Sequence, residues 1–584
     1  MGTYLERWKR WAEFQELPMD LQNEIQSIED SETEKEERFY QFLSFGTGGM
    51  RGILGVGTNR MNKFTVRRVA EGLALYIVSL GEQAKKQGVV IAYDTRHFSR
   101  EFAEETAKVL GKYRVHSYVF KESRPTPELS FAIRHLQAIG GVVITASHNP
   151  KQYNGFKVYG EDGGQLTPEA ASKITHFMEQ IEDELLIDVV ELDTLHKQGI
   201  YHLILSEIDL AYQEKLLSLR ENKGVLDELK VVYSPLHGSG LIPIKEGLHA
   251  FGCKDVLVVK EQAIQDADFP TVDYPNPEEK DAFKLAIQLG EDHDADLLLA
   301  TDPDADRLGI AVKTAEGFQL LTGNQLGALL LNYMLVSKKA KGILPQTGVV
   351  LKTIVTSELG RVVAGKYGMA TVDTLTGFKY IAEKIEEYDQ SGEFHFLFGY
   401  EESYGYLIGD FVRDKDAVQT ALVTAEMAGY YKSQGLSLYD ALSCLYQEFG
   451  FYKESLQSIT LEGKAGQDKI SEIMKDFRQN PPLTIAGLTV TVTEDYESGI
   501  SQVENGTLAN LMLPKENVLK FKLEDKSWIC IRPSGTEPKC KLYFGVVRYE
   551  EEEAIGLLKL MEEEVMGKVE KVLSGFYKDM GIGC

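Results

Sequence analysis

Short apolar runs, each closed by a polar or glycine-rich turn, recur along most of this chain. Residues 139–144 (IGGVVI) are one such run; β-branched residues suit a pleated sheet, and the Asn149-Pro150 pair just beyond it stops the strand. Residues 89–93, 115–120, 229–234, 255–259, 295–300, 348–354, 369–372 and 393–398 read as strands in the same way. Between them, residues 101–112, 127–135, 240–251, 278–289, 357–367 and 416–432 read as helices. Strands alternating with helices imply parallel sheets. The elements fall into three series, which predicts three similar α/β units, although no strict sequence repeat is visible. Residues 1–43 read as amphipathic helix broken by a solvated acidic stretch at 29–34, and 167–222 as a charged helical stretch. Residues 153–159 lead into a hairpin-like turn at Asp162-Gly163-Gly164. From about residue 455 the pattern changes to short strands (488–492, 518–523, 528–531) alternating with charged helix, the signature of a smaller α+β domain.

Length and charge narrow the possibilities. A chain of 584 residues is too long for one core, and three to five domains are expected. The predicted divisions are a helical extension at 1–43, an α/β domain at 44–210, a second at 211–322, a third at 323–450, and the α+β domain at 451–584. A formal net charge of −26 argues against a nucleic-acid or anionic-membrane surface. An anionic substrate would therefore need a local basic pocket. The N-terminus lacks the apolar segment of a signal peptide, and apolar runs such as 328–336 are too short to span a bilayer. Five scattered cysteines (Cys253, Cys444, Cys530, Cys540, Cys584) show no metal-type spacing, which fits a reduced cytoplasmic protein with buried thiols, the C-terminal one excepted.

Chemistry-bearing residues gather where strands end. Ser147, in Thr145-Ala146-Ser147-His148-Asn149-Pro150, is delivered at the C-terminal edge of a sheet, where open α/β folds place ligands. It is either a nucleophile or phosphoryl carrier, or a turn serine bonding its own backbone. His148 follows directly, so on an extended chain the two side chains diverge, unlike a Ser–His dyad; His148 is expected instead to stabilise phosphate charge. Lys157 reads either as a solvated strand lysine or as a cation or general acid/base near the serine. Asp302, Asp304 and Asp306 are costly together unless neutralised, and a hard divalent cation such as Mg²⁺ is the natural partner. An EF-hand is excluded by spacing, since Arg307 stands where glycine is required and Lys313 where glutamate is. Gly46 to Gly52 form a glycine-dense loop around Arg51, suited to an anion or to a plain turn. Arg532-Pro533-Ser534-Gly535-Thr536 has the composition of a phosphate nest, and Glu401 and Ser403 could bond adjacent sugar hydroxyls; either could equally be turn chemistry. No G-x-S-x-G elbow surrounds Ser147 and no Walker lysine follows a glycine loop, so hydrolase and P-loop readings lose support.

Taken together, TASHNP at 145–150, DPDADR at 302–307, GYEESYG at 399–405 and RPSGTEPK at 532–539 resemble the α-D-phosphohexomutase superfamily, the phosphoglucomutase/phosphomannomutase family. The resemblance runs from about residue 40 to the C-terminus with the motifs in family order. GTGGMRG at 46–52 and DTLTGFK at 373–379 look most like the branch containing α-phosphoglucomutases and phosphopentomutases. It implies a heart-shaped, four-domain architecture: three similar α/β domains with mixed sheets plus a C-terminal α+β domain.

Carried over by position, the resemblance implies that Ser147 is a phosphoserine whose phosphate, with Asp302, Asp304 and Asp306, holds Mg²⁺. Arg51, His148, Lys157 and Arg307 would surround the transferring phosphoryl group, with Lys157 as the general acid/base. Thr376, Gly377, Glu401, Ser403 and Lys415 would face the sugar, and Arg532, Ser534, Gly535 and Thr536 the non-reacting phosphate. Lys541 departs from the arginine that many relatives place downstream of that loop. The implied reaction is interconversion of α-D-glucose 1-phosphate and glucose 6-phosphate, with glucose 1,6-bisphosphate as intermediate and activator. Alternatives are a pentose or mannose specificity within the family, or a metal-dependent sugar phosphatase. The expected partners are small sugar phosphates, with neither nucleic acid nor membrane, for a monomer or homodimer.

Overall fold

The computed structural model describes residues 3–46, 49–461, 463–534 and 539–579. By packing, the chain divides into two compact units, Met1–Leu351 with Gly377–Tyr439, and Lys352–Thr376 with Asp440–Cys584.

The first unit opens with three short helices, Tyr4–Glu13, Met19–Ser27 and Glu32–Phe39. They are anchored to the first α/β domain: buried Trp11 meets Phe39 and Phe64 edge-on, and its indole N–H donates to Glu184 at 2.7 Å. The first sheet contains β1 (Gly49–Ile53), β2 (Val89–Tyr93), β3 (Ser117–Phe120), β4 (Gly140–Ile144), β5 (Tyr153–Gly160) and β6 (Tyr201–Ile204), in the order β1-β5-β4-β2-β3-β6. The second contains β7 (Lys230–Ser234), β8 (Asp255–Val258), β9 (Leu297–Thr301), β10 (Leu308–Thr314) and β11 (Gly317–Leu321), in the order β11-β10-β9-β7-β8. The third runs β13-β12-β14-β15, with β12 (Gly348–Thr353), β13 (Ala370–Thr374), β14 (His395–Glu401) and β15 (Gly405–Leu407).

One strand order recurs in all three: β5-β4-β2-β3, β10-β9-β7-β8 and β15-β14-β12-β13. The expected duplication is therefore present as topology. Wholly parallel sheets are not. β2 pairs in parallel with β3 and β4, and β7 with β8 and β9, but β5, β10 and β15 return antiparallel to β4, β9 and β14. Buried parallel strands such as β2, β4 and β9 are apolar throughout and read clearly in sequence. The return strands are glycine-rich, short or mixed in polarity, and escaped that reading.

Other elements shift more modestly. The stretch at 167–222 is not wholly helical, since β6 lies within it and pairs with β3. The helix expected at 278–289 begins as a 3₁₀ turn, Lys280–Phe283, and continues as Lys284–His293. Part of the glycine loop around Arg51 is strand β1. Among the cysteines, Cys253, Cys530 and Cys540 are buried but Cys444 is exposed, and Cys584 lies outside the described residues. No helix among the described residues is long and apolar enough to cross a membrane.

The second unit is built on an antiparallel sheet whose first strand begins at Phe451 and whose last ends at Arg548. The helices Gly463–Gln479 and Glu551–Asp579 cover it, burying Ile473, Met474, Met561 and Val569 against Leu542 and Phe544. Residues 352–376 are tied to this sheet through Lys520, whose Nζ donates to the Ile354 carbonyl at 2.6 Å.

Candidate active site

Each return strand creates a hairpin tip, and the candidate chemistry sits on the tips. Residues 145–152 join β4 to β5, Asp302–Arg307 join β9 to β10, and residues 402–404 join β14 to β15. The three tips belong to the first unit.

Ser147 is buried and holds a left-handed backbone, φ 52°. A non-glycine residue in that region stores about 1–3 kcal/mol and persists only where its surroundings enforce it. The enforcement is visible. The Ser147 N–H donates to Thr145 Oγ1 at 2.8 Å. From behind, the buried Arg96 guanidinium donates to the carbonyls of Ser147 (2.6 Å), Pro150 (2.9 Å), Tyr153 (3.2 Å) and Asn149. Arg96 is itself held by Asp94 at 3.3 Å and packs over the Phe269 ring. The left-handed turn overturns the expectation that Ser147 and His148 diverge, because the chain is not extended there: Ser147 Oγ and His148 Nδ1 lie 3.1 Å apart. Burial, with the cations Arg307 and Arg51 nearby, holds His148 well below the ordinary imidazole range, so it acts as a neutral hydrogen-bonding ring.

The acidic tip meets the serine directly. The Ser147 hydroxyl donates to Asp302 Oδ2 at 2.6 Å, while Asp302 Oδ1 accepts the N–H groups of Asp306 (3.2 Å) and Arg307 (3.0 Å). Asp302, Asp304 and Asp306 are all buried, and one carboxylate oxygen from each lies within 4.8 Å of the others. Burial and the Asp306 and Asp304 carboxylates push Asp302 well above its ordinary range. Asp304 Oδ1 and Asp306 Oδ1 are buried without a hydrogen-bond partner. Crowded carboxylates whose buried oxygens lack a hydrogen-bond donor are what a hard divalent cation satisfies, so the residues present fit such an ion.

Cations line the rest. Across the β1–β5 ribbon Gly49 faces Lys157 and Arg51 faces Gly155, which puts Arg51 and Lys157 on one face. Lys157 Nζ stands 3.1 Å from Asp304 Oδ2 and 3.6 Å from Asp306 Oδ2, and Arg51 donates to Asn149 Oδ1 at 2.9 Å. Lys415 Nζ lies 3.1 Å from Asp306 and 3.2 Å from Asp414; burial alone would lower it, but Asp306, Asp414 and Glu401 more than offset this and hold the ammonium charged. Arg307 pairs with Glu278 at 2.5 Å. On the third tip, Glu401 Oε1 accepts the Gly377 N–H at 2.9 Å, and burial pushes its carboxyl up to about 7 even with Lys415 and Arg307 nearby. Ser403 is partly exposed on the same tip.

The remaining expected residues lie in the second unit. Thr376 Oγ1 is buried without a hydrogen-bond partner. Arg532 stands opposite Lys541 in adjacent strands, and the Ser534 N–H donates to the Lys539 carbonyl at 2.7 Å; Gly535 and Thr536 lie outside the described residues. Sequence reasoning passed over Arg96, Thr126, Glu278 and Asp414. Arg96 carried a signal, since Asp94-Thr95-Arg96 also closes a strand end; Thr126 reads merely as a helix start.

Four family models match in succession, described as phosphoglucomutase/phosphomannomutase, alpha/beta/alpha domains I, II and III and C-terminal domain, over residues 43–185, 211–317, 322–449 and 488–556. The chain belongs to the phosphoglucomutase/phosphomannomutase family. Its relatives in that family include the phosphoglucomutase of Staphylococcus epidermidis (strain ATCC 35984), 42% identical over 514 residues, 87% of this chain and 92% of that protein. The phosphoglucomutase of Staphylococcus aureus (strain MRSA252) is 40% identical over 520 residues, 88% of this chain and 91% of that protein. The open form of pp63/parafusin, the Paramecium phosphoglucomutase, superposes with a TM-score of 0.66 at 19% identity, covering 91% of this chain and 95% of that one, and shares the fold. The four-domain α/β fold of the phosphohexomutases is thus the fold of this chain.

Proposed function

We propose that this chain is an intramolecular phosphotransferase that interconverts α-D-glucose 1-phosphate and glucose 6-phosphate through a phosphoserine at residue 147. The observation that carries the proposal is the meeting of a strained, buried serine with a buried acidic triad, Ser147 Oγ at 2.6 Å from Asp302. Likeness to staphylococcal phosphoglucomutases over 87% of the chain supports glucose as the sugar.

In the forward half, the bond from phosphorus to Ser147 Oγ breaks as one forms to the C6 hydroxyl oxygen of glucose 1-phosphate. Lys157, beside Asp304 and Asp306, is the residue assigned to exchange the hydroxyl proton. Asp302, Asp304 and Asp306, with the serine phosphate, would hold Mg²⁺, which when bound supplies positive charge to the phosphoryl oxygens. Arg51, Arg307 and neutral His148 donate toward the same group, while Lys415, Glu401, Ser403 and Gly377 take the sugar; in the second unit, Thr376 is assigned to a sugar hydroxyl. Glucose 1,6-bisphosphate is the proposed intermediate; its C1 phosphoryl group then returns to Ser147, whose hydroxyl in the free state points at Asp302 Oδ2. The same bisphosphate, added from outside, would activate unphosphorylated chains. In the second unit Arg532 and Ser534, with Gly535 and Thr536, are assigned to a phosphate. Ser147 is 3% exposed, and a site that excludes water would protect a phosphoserine there from hydrolysis. We place the activity in the cytoplasm, where the buried thiols Cys253, Cys530 and Cys540 stay reduced.

A coupled assay comparing kcat/KM for glucose, mannose and ribose 1-phosphates tests the proposal. Glucose 1-phosphate is expected to lead, Ser147→Ala to be inactive, and intact mass after exposure to glucose 1,6-bisphosphate to rise by about 80 Da at Ser147. A ribose preference, or free phosphate released in step with substrate loss, would sink it.

A further inference from the structure

The Asp304 carboxylate is engaged through one oxygen. Its Oδ2 accepts the Thr126 hydroxyl at 2.9 Å and the Lys157 ammonium at 3.1 Å, while Oδ1 is buried with no hydrogen-bond partner. Thr126 is fully buried and opens the helix Thr126–Leu136 immediately after Pro125. Its main-chain N–H donates to the Asp304 carbonyl at 2.9 Å. One residue therefore grips both the backbone and the carboxylate of the central acid in the triad.

The two partners of Oδ2 do different work. An ammonium on a long flexible stem is close to a point charge and pairs with either oxygen, and Lys157 already divides itself between Asp304 and Asp306. A hydroxyl on a β-branched side chain has few rotamers and a fixed reach. Directionality at Asp304 thus comes from Thr126.

We propose that Thr126 is a positioning residue for the divalent cation: by occupying Oδ2 of Asp304 it turns Oδ1 toward the ion, beside Asp302 and Asp306. This inference rests on the metal assignment made above and deepens it. Loss of a hydrogen-bond partner to a metal ligand typically weakens metal binding about 10- to 100-fold.

The test is Mn²⁺ binding to the full, unphosphorylated chain, read from the electron paramagnetic resonance of free Mn²⁺ during titration. Thr126→Val, nearly the same shape without the hydroxyl, is expected to weaken binding by about tenfold or more, and Thr126→Ala likewise. Thr126→Ser keeps the hydroxyl and is expected to stay within about threefold of the parent. At saturating metal, KM for glucose 1-phosphate should be unchanged in all three. Circular dichroism identifies which of the two hydroxyl-free variants is folded and can be read. Parent-like Mn²⁺ affinity in a folded Val or Ala variant would overturn the role, as would a Ser variant as weak as Ala. A parent chain that binds no Mn²⁺ either unphosphorylated or phosphorylated at Ser147 overturns the metal assignment, and this inference with it.

Discussion

Gly238 lies in the turn after β7, and its backbone faces the acidic tip. A Cβ added there would stand 2.4 Å from Pro303 Cα, 2.6 Å from its carbonyl oxygen and 2.8 Å from its carbonyl carbon. These are main-chain atoms, so no rotamer change relieves the overlap. Nor can the Pro303 carbonyl swing freely, since Ser239 holds it through its N–H at 2.8 Å and its Oγ at 2.9 Å. Gly238 is not among the positive-φ glycines, so alanine is conformationally allowed and the effect of Gly238→Ala is purely steric. Ordinary contact requires Pro303 to retreat by about 1 Å, carrying Asp302 and Asp304 on either side of it. Overpacking of this kind costs about 1–3 kcal/mol. A misplacement of about 1 Å at a reacting centre costs about 100-fold in rate. With glucose 1-phosphate, glucose 1,6-bisphosphate and Mg²⁺ all saturating, kcat is therefore expected to fall about 100-fold, with the circular dichroism spectrum preserved. A folded Gly238→Ala protein with kcat within about threefold of the parent would refute the reasoning, because the acidic tip would then have absorbed the methyl group without moving its carboxylates.

Two other perturbations follow from the same geometry. Glu401 ionises near its ordinary 4.5 in the unfolded chain and at about 7 when folded, so between those values the folded protein holds a proton that the unfolded chain has lost. Its contribution is fully present below pH 4.5 and lost as pH rises through 7, about 3 kcal/mol in all. Glu401→Gln should remove that slope, raising Tm relative to the parent at pH 8.5 but not at pH 4.5; a Tm difference independent of pH argues against it. Arg96→Lys keeps the charge but cannot serve four carbonyls, and each buried carbonyl left unpaired costs about 1–3 kcal/mol. Tryptic cleavage after the exposed Lys151 in the same tip should accelerate about 30-fold, the equivalent of about 2 kcal/mol; a parent-like rate would show that the clamp is dispensable.

How far the sequence carried depended on what kind of signal each element leaves. β2, β4 and β9 are buried on both faces, so composition alone exposes them, and with them the positions of Ser147 and the acidic triad. β1 (GMRGI) is poor in β-formers, and it is recognisable as a strand through its pairing with β5. Lys415 entered through resemblance alone; the structure sets it between Asp306 and Asp414. The Ser147–His148 contact was misjudged because one left-handed residue reverses which side chains meet, and nothing local predicts a positive φ at a serine. Thr126 and Glu278 act on residues far away in the chain, at Asp304 and Arg307, a relation that propensity and spacing do not encode.

The acidic tip and the strand that leaves it are held by backbone as well as by side chains. Thr126 N–H bonds the Asp304 carbonyl, Leu308 N–H the Tyr404 carbonyl and Ala417 N–H the Ala305 carbonyl, at 2.9, 3.0 and 3.2 Å. Such bonds are indifferent to residue type, proline aside, but exacting about residue count. A lineage carrying this assembly is free to drift in composition around the tips, while one inserted residue between Asp302 and Arg307 would throw all three bonds out of step. Variation here is constrained more by length than by identity, and a chimaera assembled from two relatives would tolerate mismatched residues at these tips far better than mismatched loop lengths.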